Sequence, residues 1–275
     1  MTKKDRILGS IVGFAIGDAM GATTEFMTDR QIALAYGKVT EIMGGGWLRL
    51  KPGQVTDDTQ MTLVVYRAMR DTVGRPDRTL EEICRGFKAW AASNPPDIGG
   101  ACQRAICGAK SCDPTEWWYR NELRQEKSGV RDLGNGGLMR CLVPCLAGDV
   151  NLAREQSYLT HSDSIHDAFI SMYYELLNDA LKGRMFKSIG IKTEPTGHVS
   201  NTFYNCQWWF LNTKSFEEAV IGAVNDGGDA DTIAALTGGL AGAFYGFNAI
   251  PDRWVHALDK DTLTELEECA NWLTK

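Results

Sequence analysis

Two short acidic stretches carry the residue types most able to do chemistry. One is Asn225-Asp226-Gly227-Gly228-Asp229-Ala230-Asp231-Thr232, which runs without a break into the apolar Ile233 to Gly246. Three carboxylates within six residues, entering a segment that offers no basic partner, would repel one another and resist burial. Hard divalent cations such as Mg²⁺ or Mn²⁺ offset that cost and prefer oxygen ligands. The second stretch is Thr56-Asp57-Asp58-Thr59, again followed by a helix-like run, Met61 to Met69. Two such halves suggest a centre holding two cations. Each half taken alone also reads as a helix N-cap, where Asp and Thr are favoured and complement the helix dipole.

Other elements must deliver these groups. Gly9, Gly13, Gly17 and Gly21 recur every four residues, which lays a smooth ridge along one side of a helix. Each costs about 1 kcal/mol relative to Ala, so the repeat predicts another backbone in close approach. The end of this helix brings Asp18 and, after a turn, Glu25 toward the acidic site. Asp97 lies between Pro95-Pro96 and Gly99-Gly100, a rigid turn that presents either a catalytic acid or an ordinary N-cap. Gly134-Asn135-Gly136-Gly137 is a glycine turn whose N–H groups suit phosphate oxygens, though the GxxxxGK[ST] pattern is missing. His161 reads as a ligand or, more simply, as a histidine satisfied by a nearby carboxylate at a helix start. Arg49 and Lys51, in the glycine-rich loop Met43 to Gly53, could meet an anion or form a solvated loop tip.

Helical periodicity recurs from end to end and strand alternation is almost missing, so the fold class is all-α, a multi-helix bundle crossing around buried acidic loop ends. Predicted helices cover 5–21, 27–36, 56–71, 80–92, 101–110, 165–182, 202–212, 215–224 and 261–273, with an apolar helix after Gly134 through Leu146. The polar 112–132 segment reads as an excursion, a lid or docking surface, and 183–200 as irregular. No linker divides the 275 residues, so one domain, 1–275, is expected.

A net charge of −6 and a pI near 5.3 argue against a protein working on a nucleic-acid backbone. The apolar run from Ile7 to Gly17 is too short to span a bilayer and lacks a convincing secretory cleavage pattern, so a cytoplasmic location is expected. The eight cysteines show no CxxC pairing and read as reduced, packed thiols.

Taken in order, Gly17-Asp18-Ala19-Met20-Gly21 with Glu25, Thr56 to Thr59, Asp97-Ile98-Gly99, Gly134-Asn135-Gly136 with Met139-Arg140, Thr160-His161 and Gly227 to Thr232 resemble the ADP-ribosylglycohydrolase family. The resemblance implies an all-helical hydrolase with two Mg²⁺ or Mn²⁺ ions, held by Thr56, Asp57, Asp58, Asp229, Asp231 and Thr232. It implies acid/base roles for Asp97 and Glu25, and substrate contacts from Gly99, Gly134, Asn135, Gly136, Met139 and His161. The run from Gly17 through Thr59 is most similar to the branch that removes ADP-ribose from an arginine of nitrogenase iron protein. That branch implies a PII-type regulator, an ammonium channel and reversible membrane association. Departures from the family pattern, at Gly100, Asp163-Ser164 and Gly197-His198-Val199, surround the substrate rather than the metals. Competing readings are a two-metal phosphoesterase and an ADP-ribose-binding protein without turnover.

Overall fold

The computed structural model describes residues 1–185 and 190–275. Their α-helices are α1 Lys3–Gly21, α2 Asp29–Tyr36, α3 Asp57–Asp71, α4 Thr79–Ala92, α5 Gly100–Gly108, α6 Pro114–Ser128, α7 Leu142–Ala147, α8 Val150–Tyr158, α9 Ile165–Leu181, α10 Val199–Leu211, α11 Phe216–Asp226, α12 Ala230–Tyr245, α13 Asp252–Ala257 and α14 Lys260–Leu273. Among the described residues there is no strand, only three isolated bridges, so the chain is all-α as expected.

Helices α1 and α12 are the centre of the bundle, and each is buried along nearly its whole length. Their small residues explain how they meet. The two run antiparallel with backbones touching: a Cβ built on Gly9 or Gly13 would lie 2.5 Å from the carbonyl oxygen of Gly242 or Gly238. Those on Gly17 and Gly21 would overlap the carbonyls of Ala234 and Ala230. The glycine period therefore has the function its regularity suggests, and its partner is the apolar run that follows the acidic motif. Ser10 adds a cross-helix hydrogen bond, donating from Oγ to Gly239 O at 2.8 Å. Because the pair is antiparallel, the C-terminal end of α1 meets the N-terminal end of α12, and Asp18 and Glu25 face Asp229 and Asp231.

The remaining helices pack around this pair, with α11, α14, α10 and α9 against it and α3 carrying the second acidic stretch to the same end. The segment read as a polar excursion contains a helix that carried no prediction, α6. Asp113 Oδ1 caps it by accepting from Thr115 N at 2.9 Å, and Pro114 begins it. Trp117 is buried and donates from Nε1 to Ser111 O at 3.0 Å, while Asn121 Nδ2 donates to Leu159 O at 2.9 Å. One large side chain and one amide anchor a helix whose other residues are too polar to announce a buried face. The predicted helix after Gly134 is shorter than expected: a 3-10 turn at Asn135–Gly137 precedes α7. Helices α8 and α13 fall in segments that carried no prediction. Part of the segment expected to be irregular, residues 186–189, lies outside the described residues.

Gly17→Ala places a methyl against the Ala234 carbonyl, and the two helices must separate to admit it. A loss of roughly 2 kcal/mol or more is expected in urea unfolding; a change under about 0.5 kcal/mol would show that the helix contact is looser than described.

Candidate metal and active site

Thr56 is the N-cap of α3, its Oγ1 accepting from Asp58 N at 3.3 Å, so the capping interpretation of this stretch holds for the threonine. It does not account for the aspartates. Asp57 and Asp58 are buried in the first turn, and the turn is held in place by Asp18. The Asp18 carboxylate accepts from Thr56 N at 3.0 Å, Thr59 N at 3.1 Å and Thr59 Oγ1 at 2.5 Å. Thus α1 fixes the start of α3 through one carboxylate. At the start of α12, Asp229 occupies the N-cap position but makes no capping bond. Its Oδ2 accepts instead from Asn135 Nδ2 at 2.5 Å.

The stretches converge on one cavity of about 350 Å³, lined by Glu25, Asp57, Asp58, Asp97, Asp229 and Asp231 together with Gly99, Gly134, Asn135, Gly136, Met139, His161 and Thr232. Of the sequence-predicted site residues only Thr56 stays behind the wall; it reaches the site through Asp58 Oδ2, to which Thr56 Oγ1 and Thr232 Oγ1 each donate at 3.2 Å. The other oxygen, Asp58 Oδ1, is buried with no hydrogen-bond partner among the described residues. A buried, unsatisfied carboxylate oxygen is costly. Carboxylate oxygens of Asp18, Asp58 and Asp231 lie within 4.8 Å of one another, and so do those of Glu25, Asp229 and Asp231. These all-oxygen clusters suit a hard divalent cation.

The grouping differs from the expected ligand set in two respects. Glu25, expected as an acid/base residue, stands as close to Asp229 and Asp231 as a shared cation requires. Asp57, expected as a ligand, lies outside both clusters. Its Oδ2 accepts from Gly99 N at 3.2 Å, on the side of the cavity where Asp97 stands. Sequence order alone could not separate two adjacent aspartates that point to different sides of a helix start.

Without cations, burial shifts the carboxyls of the cluster toward their protonated forms. Burial, reinforced by neighbouring carboxylates, raises Glu25 and Asp57 to about 8. Burial lifts Asp18 and Asp229 to about 6 against hydrogen bonds that pull the other way. Asp58 and Asp231 are raised well above the ordinary range by burial and then by charge, and Asp97 is raised mainly by burial.

The glycine turn is stiffened from behind. Asn135 N donates to Gly197 O at 2.9 Å, and the Asn135 amide spends its donors on Asp229 and on Thr202 Oγ1 at 3.0 Å. Arg140, fully buried, holds the same turn: Nη1 donates to Gly136 O at 2.5 Å, and Nη2 to Gln156 O at 2.9 Å and Thr160 Oγ1 at 2.8 Å. Thr160 Oγ1 in turn lies 2.7 Å from His161 Nδ1. The expectation of a carboxylate partner for His161 is therefore corrected, since a hydroxyl holds the ring and burial beside His166 and Arg140 keeps it neutral. Arg49 and Lys51 do not line the cavity. Phe26, Trp47 and Cys102 do, and sequence reasoning missed all three; the triple glycine before Trp47 was the available signal. A larger groove of about 1080 Å³ lies between α3, α4 and α14, where charges such as Arg67 and Glu265 are already paired.

Between pH ~4 and ~8 the metal-free folded state binds protons that the unfolded chain has released, so its stability falls as pH rises through that window. Divalent cations should therefore raise the melting temperature more at about pH 8.5 than at about pH 5. An equal gain at both values, by scanning calorimetry with and without chelator, would contradict the assignment.

A family model described as ADP-ribosylglycohydrolase matches residues 1–275. The ADP-ribosyl-(dinitrogen reductase) glycohydrolase of Rhodospirillum rubrum is 34% identical, over 95% of this chain and 93% of that protein. The ADP-ribosylarginine hydrolase Tri1 of Serratia proteamaculans is 29% identical over 97% of this chain and 77% of its own length. A solved structure titled ADP-ribosylglycohydrolase-related protein complex superimposes with a TM-score of 0.77 at 29% identity, covering 98% of this chain and 97% of that one. With its helical architecture, its acidic cavity and a match from the first residue to the last, the chain belongs to the ADP-ribosylglycohydrolase family, a family of glycosyl hydrolases.

Proposed function

We propose that this chain hydrolyses the N-glycosidic bond between ADP-ribose and a protein arginine, with two divalent cations, Mg²⁺ or Mn²⁺, as cofactors. The observation that carries this reading is the convergence of six carboxylates on one cavity whose lining, among the described residues, includes no lysine or arginine. Such a wall favours a substrate whose acceptor group is cationic, as the substituted guanidinium of arginine is, and disfavours a substrate held by its phosphates alone. The relatives named for ADP-ribosylarginine and for dinitrogen reductase support the same linkage and make nitrogenase iron protein the favoured target. With that target would come a cytoplasmic site of action, a PII-type regulator, an ammonium channel and reversible membrane association. No helix among the described residues is long and apolar enough to cross a membrane.

Asp58, Asp231, Glu25, Asp229 and Asp18 would hold the cations, with Thr56, Asp57 and Thr232 around them. When bound, the cations supply positive charge that orients the ribose hydroxyls and acidifies water. In the reaction the bond from the anomeric carbon to the guanidine nitrogen breaks and a water oxygen bonds to that carbon. Asp97, whose carboxyl burial shifts toward its protonated form, is the group that donates a proton to the departing nitrogen. Glu25, raised to about 8 mainly by burial, takes the proton released by the water. The Gly134–Gly137 turn and Gly99 present backbone to the rest of the nucleotide, and Met139 and His161 close the wall.

Asp58→Asn and Asp229→Asn should each lower release of ADP-ribose from ADP-ribosylarginine iron protein by about 100-fold or more, and Asp97→Asn by a similar factor at saturating Mn²⁺. Mass spectrometry of the substrate and product, with and without chelator, reads this directly. Parent-rate turnover by folded variants, or release of phosphate instead of intact ADP-ribose, would contradict the proposal.

A further inference from the structure

The mouth of the cavity carries two aromatic rings that the chemistry above does not use. Phe26 is 66% exposed and Trp47 is 53% exposed, although both line the cavity beside Glu25. Their ring centroids lie 5.3 Å apart and their planes meet at 52°, so the two rings pack on each other and present one aromatic face. Neither residue is held loosely. Phe26 adopts φ 60°, a left-handed conformation that is a true outlier for a bulky side chain, and its N–H donates to Gly228 O at 2.6 Å.

Trp47 is presented by Gly44, Gly45 and Gly46, all at positive φ. The small loop is closed by reciprocal Gly45 and Leu50 backbone bonds of 2.8 and 2.9 Å, and Thr23 Oγ1 donates to Gly44 O at 3.0 Å. A Cβ on Gly46 would overlap the carbonyl oxygen of Ala22. Trp47 Nε1 also donates to Glu25 Oε2 at 2.5 Å, which fixes the indole beside the carboxylates. Large apolar rings fixed in water at the rim of an acidic pocket mark a recognition surface.

We infer that Phe26 and Trp47 form the acceptor subsite, which receives the planar guanidinium side chain carrying the ADP-ribose. This rests on the arginine linkage proposed above. A guanidinium offers a flat, weakly hydrated face to the rings while its N–H groups turn toward carboxylates. Serine offers neither, so this aromatic face favours the arginine linkage.

The test compares wild type, Phe26→Leu, Phe26→Tyr and Trp47→Ala on ADP-ribosylarginine protein, with binding of free ADP-ribose by calorimetry alongside. Phe26→Leu and Trp47→Ala should lower kcat/KM by about 10-fold, with the Phe26→Leu loss mainly in KM, and Phe26→Tyr should stay near wild type. ADP-ribose, which lacks the acceptor, should bind Phe26→Leu as it binds wild type. A Phe26→Leu loss under about twofold, or an equal loss of ADP-ribose affinity, would overturn the subsite while leaving the hydrolase reading intact. A wild-type enzyme that releases ADP-ribose from serine but not from arginine would remove both.

Discussion

Everything in this structure depends on one contact, the backbone-to-backbone packing of α1 on α12. Gly9, Gly13 and Gly17 on one helix meet Gly242, Gly238 and Ala234 on the other with no side chain between them. The approach is antiparallel, so it brings the end of the first helix against the beginning of the second. Asp18 and Glu25 then stand opposite Asp229 and Asp231 without any loop having to reach. Asp18 extends the same constraint to a third element by gripping the first turn of α3 through Thr56 and Thr59.

The geometry explains why the acidic residues tolerate burial at all. Helix starts direct their N–H dipoles at Asp57, Asp58 and Asp231, and hydroxyls of Thr56 and Thr232 satisfy one oxygen of Asp58. The other oxygen has no partner among the described residues. The protein thus leaves a charge deficit where a reaction needs positive charge, and the pressure that raises these carboxylates is the same pressure that favours binding cations. Asn135 takes part in this competition by donating to Asp229, whereas Arg140 makes its hydrogen bonds to carbonyls, a hydroxyl and a thiol rather than to acids.

Much of this was legible in the sequence because it was written in chemistry that only one physical situation explains. A four-residue glycine period has few uses besides close backbone approach, and two acidic stretches that each open a helix, though each alone could be an N-cap, together suggest a shared acidic site. What was not legible lacked such a signature. Helix α6 buries little besides Trp117 and Asn121, so its polarity concealed it. The different duties of Asp57 and Asp58 depend on which way each side chain leaves the first turn of α3, and nothing in their order encodes that. His161 could be placed beside a helix start, yet its hydroxyl partner is its own chain neighbour. Trp47 was hidden for another reason: a tryptophan in a glycine loop looks like punctuation until the loop is seen to be pinned at Ala22, Thr23 and Leu50.

The central claim is that the two distant aspartate clusters hold cations between them, and diffraction from a manganese-soaked crystal at the metal's absorption edge addresses it most directly. Two anomalous peaks are expected among the carboxylates of Asp58, Asp231, Glu25 and Asp229, and both should vanish in Asp231→Asn. Density free of anomalous signal at those side chains, or manganese bound only on the outer surface, would contradict the account.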